Sequence, residues 1–230
     1  MEFKNLVIGH HANAAISVNI NSIPNGLYFL IGANGSGKST FLKTVFGEIK
    51  AISGSIELAN QSSGDKINLL ERAQQISFLS TGIQHVDYLT VENYIHLGST
   101  PFMNRFGKLK EEIKSPADDF INLFDLKRHT SRYLDELSDG EKQLVGIAKT
   151  IHQDTSILLM DEPTSFLDPK NKRSLFAYLK QFAETKDKTI IISTHDIEVA
   201  LPYASGLLMI NKKSMSLESN MDLQNVLSIY

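Results

Sequence analysis

The residues with the clearest chemical meaning are Gly32-Ala33-Asn34-Gly35-Ser36-Gly37-Lys38-Ser39, followed by Thr40, which fit the pattern G-x-x-x-x-G-K-[ST]. Glycines let a backbone wrap a phosphate with successive N–H groups turned inward, and a helix starting directly behind adds its dipole. Lys38 is placed to reach the β- and γ-phosphates of a nucleoside triphosphate, and the Ser39 hydroxyl to ligate Mg²⁺. Asn34, Gly35, Ser36, Gly37 and Thr40 complete the expected phosphate contacts. The pattern alone does not choose among phosphate-loop enzymes.

A second group lies about 120 residues on, where Ile157-Leu158-Leu159-Met160 runs into Asp161-Glu162-Pro163. An apolar strand ending in two acids gives them separate roles, with Asp161 holding Mg²⁺ through water and Glu162 polarising an attacking water as general base. Between the two groups stands Leu137-Ser138-Asp139-Gly140-Glu141-Lys142-Gln143. Ser138 followed three residues later by Glu141 is a capping box, so a helix opens here.

These residues resemble the ATP-binding domains of ABC transporters, whose signature LSGGQ matches Leu137-Ser138-Asp139-Gly140-Glu141. The resemblance covers essentially the whole length. It implies that Ser138, Gly140 and Glu141 close on ATP held by a second copy of the chain, so that a homodimer encloses two ATP molecules. Asp139 replaces a glycine and brings a carboxylate near phosphate; Glu141 replaces a glutamine able to touch ribose. Similar LSDGE forms occur among importer ATPases for iron chelates, haem and cobalamin. By the same resemblance Ser165-Phe166-Leu167-Asp168 is the bridging D-loop and His195, in Thr194-His195-Asp196, the switch histidine beside the γ-phosphate. Thr81 falls where the family carries a metal-sensing glutamine, with Gln84 three residues too late. His10 aligns with the aromatic residue that stacks on adenine. Implied partners are integral membrane permease subunits and, indirectly, a substrate-binding protein.

Elements of the right kind surround these residues. Short apolar runs at 26–31, 157–160 and 189–192 read as buried parallel strands, and ligands bind at the C-terminal ends of such strands. Residues 38 to about 48 read as a helix. Apolar residues at helical spacing in 91–97, 116–124 and 141–152 predict a mostly helical insert over about 82–153. A short helix is expected over 222–230 and a polar turn at 62–65. The expected architecture is therefore α/β: a P-loop NTPase with a RecA-like, mostly parallel sheet, an antiparallel β part near the N-terminus, and a helical subdomain. All 230 residues read as a single domain, with core 1–81 and 154–230.

Composition narrows the function classes. Net charge −3 argues against a broad nucleic-acid footprint, and zero cysteines exclude disulfides and thiolate metal sites. No apolar run reaches the ~18 residues that cross a bilayer, nor does the start resemble a signal peptide. A cytoplasmic location, peripheral on the inner face of the cell membrane, is expected. A soluble ABC ATPase with a non-transport role such as cofactor assembly is the alternative. Asn211-Lys212-Lys213-Ser214 superficially resembles a guanine-reading NKxD but lacks the final acid.

Overall fold

The computed structural model of the chain describes residues 1–9, 15–58, 68–81, 88–104 and 115–218. His10, Gln84, the turn expected at 62–65 and the helix expected at 222–230 lie outside these residues.

Nine described strands form one sheet: β1 (Glu2–Ile8), β2 (Ile16–Val18), β3 (Gly26–Ile31), β4 (Ser53–Glu57), β5 (Ile76–Leu79), β6 (Ile157–Asp161), β7 (Thr189–Ser193), β8 (Gly206–Asn211) and β9 (Ser214–Glu218). Their order is β4-β1-β2-β9-β8-β3-β7-β6-β5. From β8 through β3, β7 and β6 to β5 every pairing is parallel. On the other side β8 pairs antiparallel with β9, and β1 pairs antiparallel with both β2 and β4. This is the expected parallel core with an antiparallel part near the N-terminus.

The central strands are apolar along their whole length because both faces are covered. Side chains alternate between the two faces. Leu27, Phe29 and Ile31 of β3 enter one core cluster with Leu175, Phe176 and Leu179, whereas Tyr28 and Leu30 enter the other with Phe41, Leu42 and Val45. The first cluster includes α6 (Pro169–Thr185), where Phe176 meets the Phe29 ring edge-on at 4.9 Å. The second includes α1 (Lys38–Phe46), which packs on β6.

Helix ends follow local chemistry. Helix α1 stops two residues before the expected end because Gly47 turns left-handed at φ 93 and its N–H returns to Lys43 and Thr44 carbonyls. The intervening α2 (Leu69–Gln75) leads into β5. Beyond it the described elements are helical: α3 (Val91–His96), a 3₁₀ segment over Leu97–Phe102, α4 (Asp118–Leu123) and α5 (Asp139–His152). Pro101 accounts for the change of winding after α3, since it supplies no N–H and its ring opposes an α-helical path. A short α7 (Ile197–Ala200) follows β7.

Candidate functional site

Strand order assembles the site. The phosphate loop follows β3, His195 follows β7, and Asp161 with Glu162 ends β6; β3, β7 and β6 are consecutive in the sheet. Their C-terminal ends share one edge, as parallel pairing requires.

The loop is shaped as its glycines predict. Gly35 and Gly37 take φ 75 and φ 104, where side-chain-bearing residues are strained. A Cβ at Gly32 would stand 2.5 Å from Ser36 Oγ and 2.9 Å from the Ile210 carbonyl oxygen. Lys38, buried at 7% exposure, donates to the Gly32 and Ala33 carbonyls at 2.7 and 3.4 Å. Burial pushes its ammonium below the ordinary lysine range, while the Glu162 and Asp161 carboxylates act in the opposite direction. Ser36 Oγ is buried and without a hydrogen-bond partner among the described residues. A buried cation bonded to its own loop and an unsatisfied hydroxyl beside it fit an anionic phosphate. Asn34, Gly35 and Ser39 are exposed, and Thr40 is half-buried on the first turn of α1.

Across the edge, Asp161 is 5% exposed and Glu162 takes φ 50. Glu162 Oε1 lies 2.9 Å from His195 Nε2, so the two residues expected to handle water meet directly. Ser165 Oγ donates to the Glu162 carbonyl at 3.1 Å. Thr81 Oγ1 donates to the Asp161 carbonyl at a long 3.4 Å, which places the end of β5 against the same strand terminus. Among the described residues no cluster of three or more His, Asp or Glu could hold a metal by itself. Asp161 and Ser39 carry oxygens of the kind that Mg²⁺ takes together with substrate phosphates.

The signature segment is organised separately. Ser138 caps α5: Glu141 N–H donates to Ser138 Oγ at 3.3 Å, and Ser138 N–H and Oγ donate to Glu141 Oε2 at 2.9 and 2.8 Å. These bonds hold the Glu141 carboxyl below the ordinary glutamate range. Its other oxygen lies 3.1 Å from His129 Nε2. Asp139 is exposed at the start of α5, where a carboxylate complements the helix dipole. Gly140 must lack a side chain, because a Cβ there would lie 2.9 Å from the Phe166 carbonyl oxygen. Thus the signature segment touches the 165–168 segment of its own chain. Helix α5 packs on β5, and β6 and β7 intervene before β3, so at ~4.8 Å per strand about 14 Å separates the two strands.

Several structural partners were not visible in the sequence. Ser193, fully buried, donates to Asp161 Oδ1 at 2.5 Å and accepts the Glu162 N–H at 2.9 Å. Asp196 receives Thr164 Oγ1 and Lys172 Nζ, both at 2.8 Å, which ties the segment after β7 to the start of α6. His129 approaches Glu141 from 12 residues upstream. A serine ending an apolar strand and a lone histidine carry no distinguishing pattern; only strand register and helix packing reveal their partners.

Comparison with known proteins identifies the family and the fold. Residues 16–165 match the family model described as ABC transporter. The chain is 30% identical over 216 residues to the petrobactin import ATP-binding protein FpuD of Bacillus anthracis, covering 94% of this chain and 79% of that one. It is 31% identical over 216 residues to the phosphonates import ATP-binding protein PhnC 2 of Oceanobacillus iheyensis, covering 90% and 85%. The dimeric structure of a post-hydrolysis state of an ATP-binding cassette, bound to ADP and Pi, superposes with a TM-score of 0.77 at 23% identity, covering 96% of this chain and 99% of that one. The chain belongs to the ABC transporter family, as an ATP-binding and ATP-hydrolysing member.

Proposed function

We propose that two copies of this chain enclose two ATP molecules and thereby drive separate membrane-spanning subunits of an importer. The observation that carries this reading is the arrangement within one chain: the phosphate loop, Asp161, Glu162 and His195 share one edge around β3, β7 and β6, while Ser138 opens a helix packed on β5. A second copy supplies the missing side of the site. Among the described residues no helix is long and apolar enough to cross a membrane, and in this reading the pore belongs to other subunits. The chain would then sit on the cytoplasmic face, with a substrate-binding protein delivering cargo to the opposite side.

In this reading residues 32–40 wrap the triphosphate, with Lys38 released from the Gly32 carbonyl to meet the β- and γ-phosphates. Asp161 and Ser39 would hold Mg²⁺, with Thr81 at the adjoining strand end, and the bound ion would supply neutralisation of the phosphate charge. Glu162 accepts a proton from the attacking water, and His195, already 2.9 Å from its carboxylate, keeps that carboxylate and the water oriented. Ser138 and Gly140 of the second copy meet the γ-phosphate; Glu141 reaches ribose only by leaving Ser138 and His129.

The cargo we infer is a chelated metal, iron siderophore, haem or cobalamin. The LSDGE form of the signature and the petrobactin import relative support it. Uptake of a ferric siderophore, haem, cobalamin and a phosphonate, measured in cells lacking this chain, tests the assignment. Loss of one of the first three, restored by the wild-type chain but not by Glu162→Gln, is expected. Loss of phosphonate uptake alone, or of none, contradicts it.

A further inference from the structure

We propose that Ser193 is a positioning residue that sets the metal-side and base-side acids together through one hydroxyl. The inference rests on the roles assigned above to Asp161 and Glu162. Strand register places Ser193 of β7 directly beside Asp161 of β6. Alternation along both strands turns them toward the same layer: Ile191 and Leu159, two residues earlier in each strand, belong to the core cluster that contains α1 residues Phe41 and Leu42. The residues flanking the phosphate loop therefore lie on the side to which the Asp161 carboxylate is directed.

A serine hydroxyl has one proton to give and lone pairs to receive. Here the proton goes to Asp161 Oδ1 at 2.5 Å, and the oxygen receives the Glu162 N–H at 2.9 Å. The same N–H also reaches the Ser193 carbonyl at 3.2 Å. The first bond holds the carboxylate of a residue only 5% exposed in one orientation, with Oδ2 left for a metal-bound water. The second supports the left-handed backbone of Glu162, φ 50, from which its side chain reaches His195. An alanine here would keep the backbone carbonyl contact but would free the Asp161 carboxylate to rotate. A valine or isoleucine would match the β7 pattern equally well, so burial and strand propensity do not explain a hydroxyl at this position.

The test compares Ser193→Ala, Ser193→Thr and Asp161→Asn in the full chain. Affinity for a fluorescent ATP analogue is measured with Mg²⁺ and with EDTA, alongside kcat, KM and the melting temperature. Ser193→Ala is expected to bind nucleotide normally in EDTA and to lose about tenfold to a hundredfold of the affinity gained from Mg²⁺. Its kcat is expected to fall more than KM changes, and Ser193→Thr, which keeps the hydroxyl, is expected to recover both. Wild-type Mg²⁺ dependence in Ser193→Ala, with that dependence lost in Asp161→Asn, overturns the role of Ser193 alone. Wild-type dependence in Asp161→Asn overturns the underlying assignment of the metal side. Equal loss of melting temperature and activity in both Ser193 variants, with Mg²⁺ dependence intact, identifies a packing role and also overturns the proposal.

Discussion

At the scale of single residues, burial and charge explain why Lys38 is held in reserve. Its ammonium is desolvated, bonded among the described residues to carbonyls of its own loop, and within the field of Asp161 and Glu162. A triphosphate brings the anionic partner that such a buried cation lacks. Lys38→Ala is therefore expected to lose at least tenfold in ATP affinity, a change of about 1.4 kcal/mol or more, in titration calorimetry. Unchanged affinity would contradict the role given to the loop. The loop was legible in the sequence because its constraint is local: glycine, lysine and serine types at fixed spacing. Ser193 was not, because its meaning depends on which strand lies beside it, and TIIIS describes an ordinary strand end.

At the scale of elements, the start of α5 and the packing of α6 give separate measurable consequences. Ser138 N–H and Oγ lower the Glu141 carboxyl from its ordinary value, so the folded state favours the ionised form. That stabilisation is fully present above the ordinary glutamate range and fades as pH falls through the lowered folded value. Glu141→Ala is expected to cost about 1 kcal/mol at neutral pH, the usual worth of a cap. The difference from wild type should begin to shrink as pH falls below the ordinary glutamate value, about 4.3, and be lost only below the lowered folded value. Urea unfolding across that range checks it; a cost independent of pH contradicts the cap. In the core cluster that also takes up α5, Phe176 is fully buried against Phe29, and Phe176→Ala is expected to destabilise the chain by about 3–5 kcal/mol in the same assay. A cost below about 1 kcal/mol would mean that this interface does not hold α6 to the sheet.

Element recognition from sequence succeeded where composition forces one answer. Apolar runs at 26–31, 157–160 and 189–192 are strands buried on both faces, and helical spacing in 141–152 is α5. It missed the end of α1, which stops at Phe46 rather than at about Glu48 because Gly47 turns left-handed. The capping box read at Ser138 does open α5 at Asp139. The outer strands β1, β2, β4 and β9 are short or mixed in polarity, so their pairing follows from the rest of the sheet rather than from their own residues.

At the scale of the whole molecule, the sheet brings the phosphate loop, Asp161, Glu162 and His195 to one edge and leaves Ser138 at the start of a helix that packs on β5. In the reading proposed above, closure of two copies would reconcile this arrangement with hydrolysis, each copy offering the surface that the other lacks. Glu162→Gln keeps the shape of the side chain but removes the base, so ATP contacts persist while turnover fails. Sedimentation of Glu162→Gln with Mg²⁺ and ATP, with and without an added Ser138→Ala substitution, measures the claim directly. The account predicts a stable dimer holding two ATP in the single variant and a monomer in the double variant. A single variant that binds ATP yet stays monomeric, or a dimer indifferent to Ser138, would contradict it.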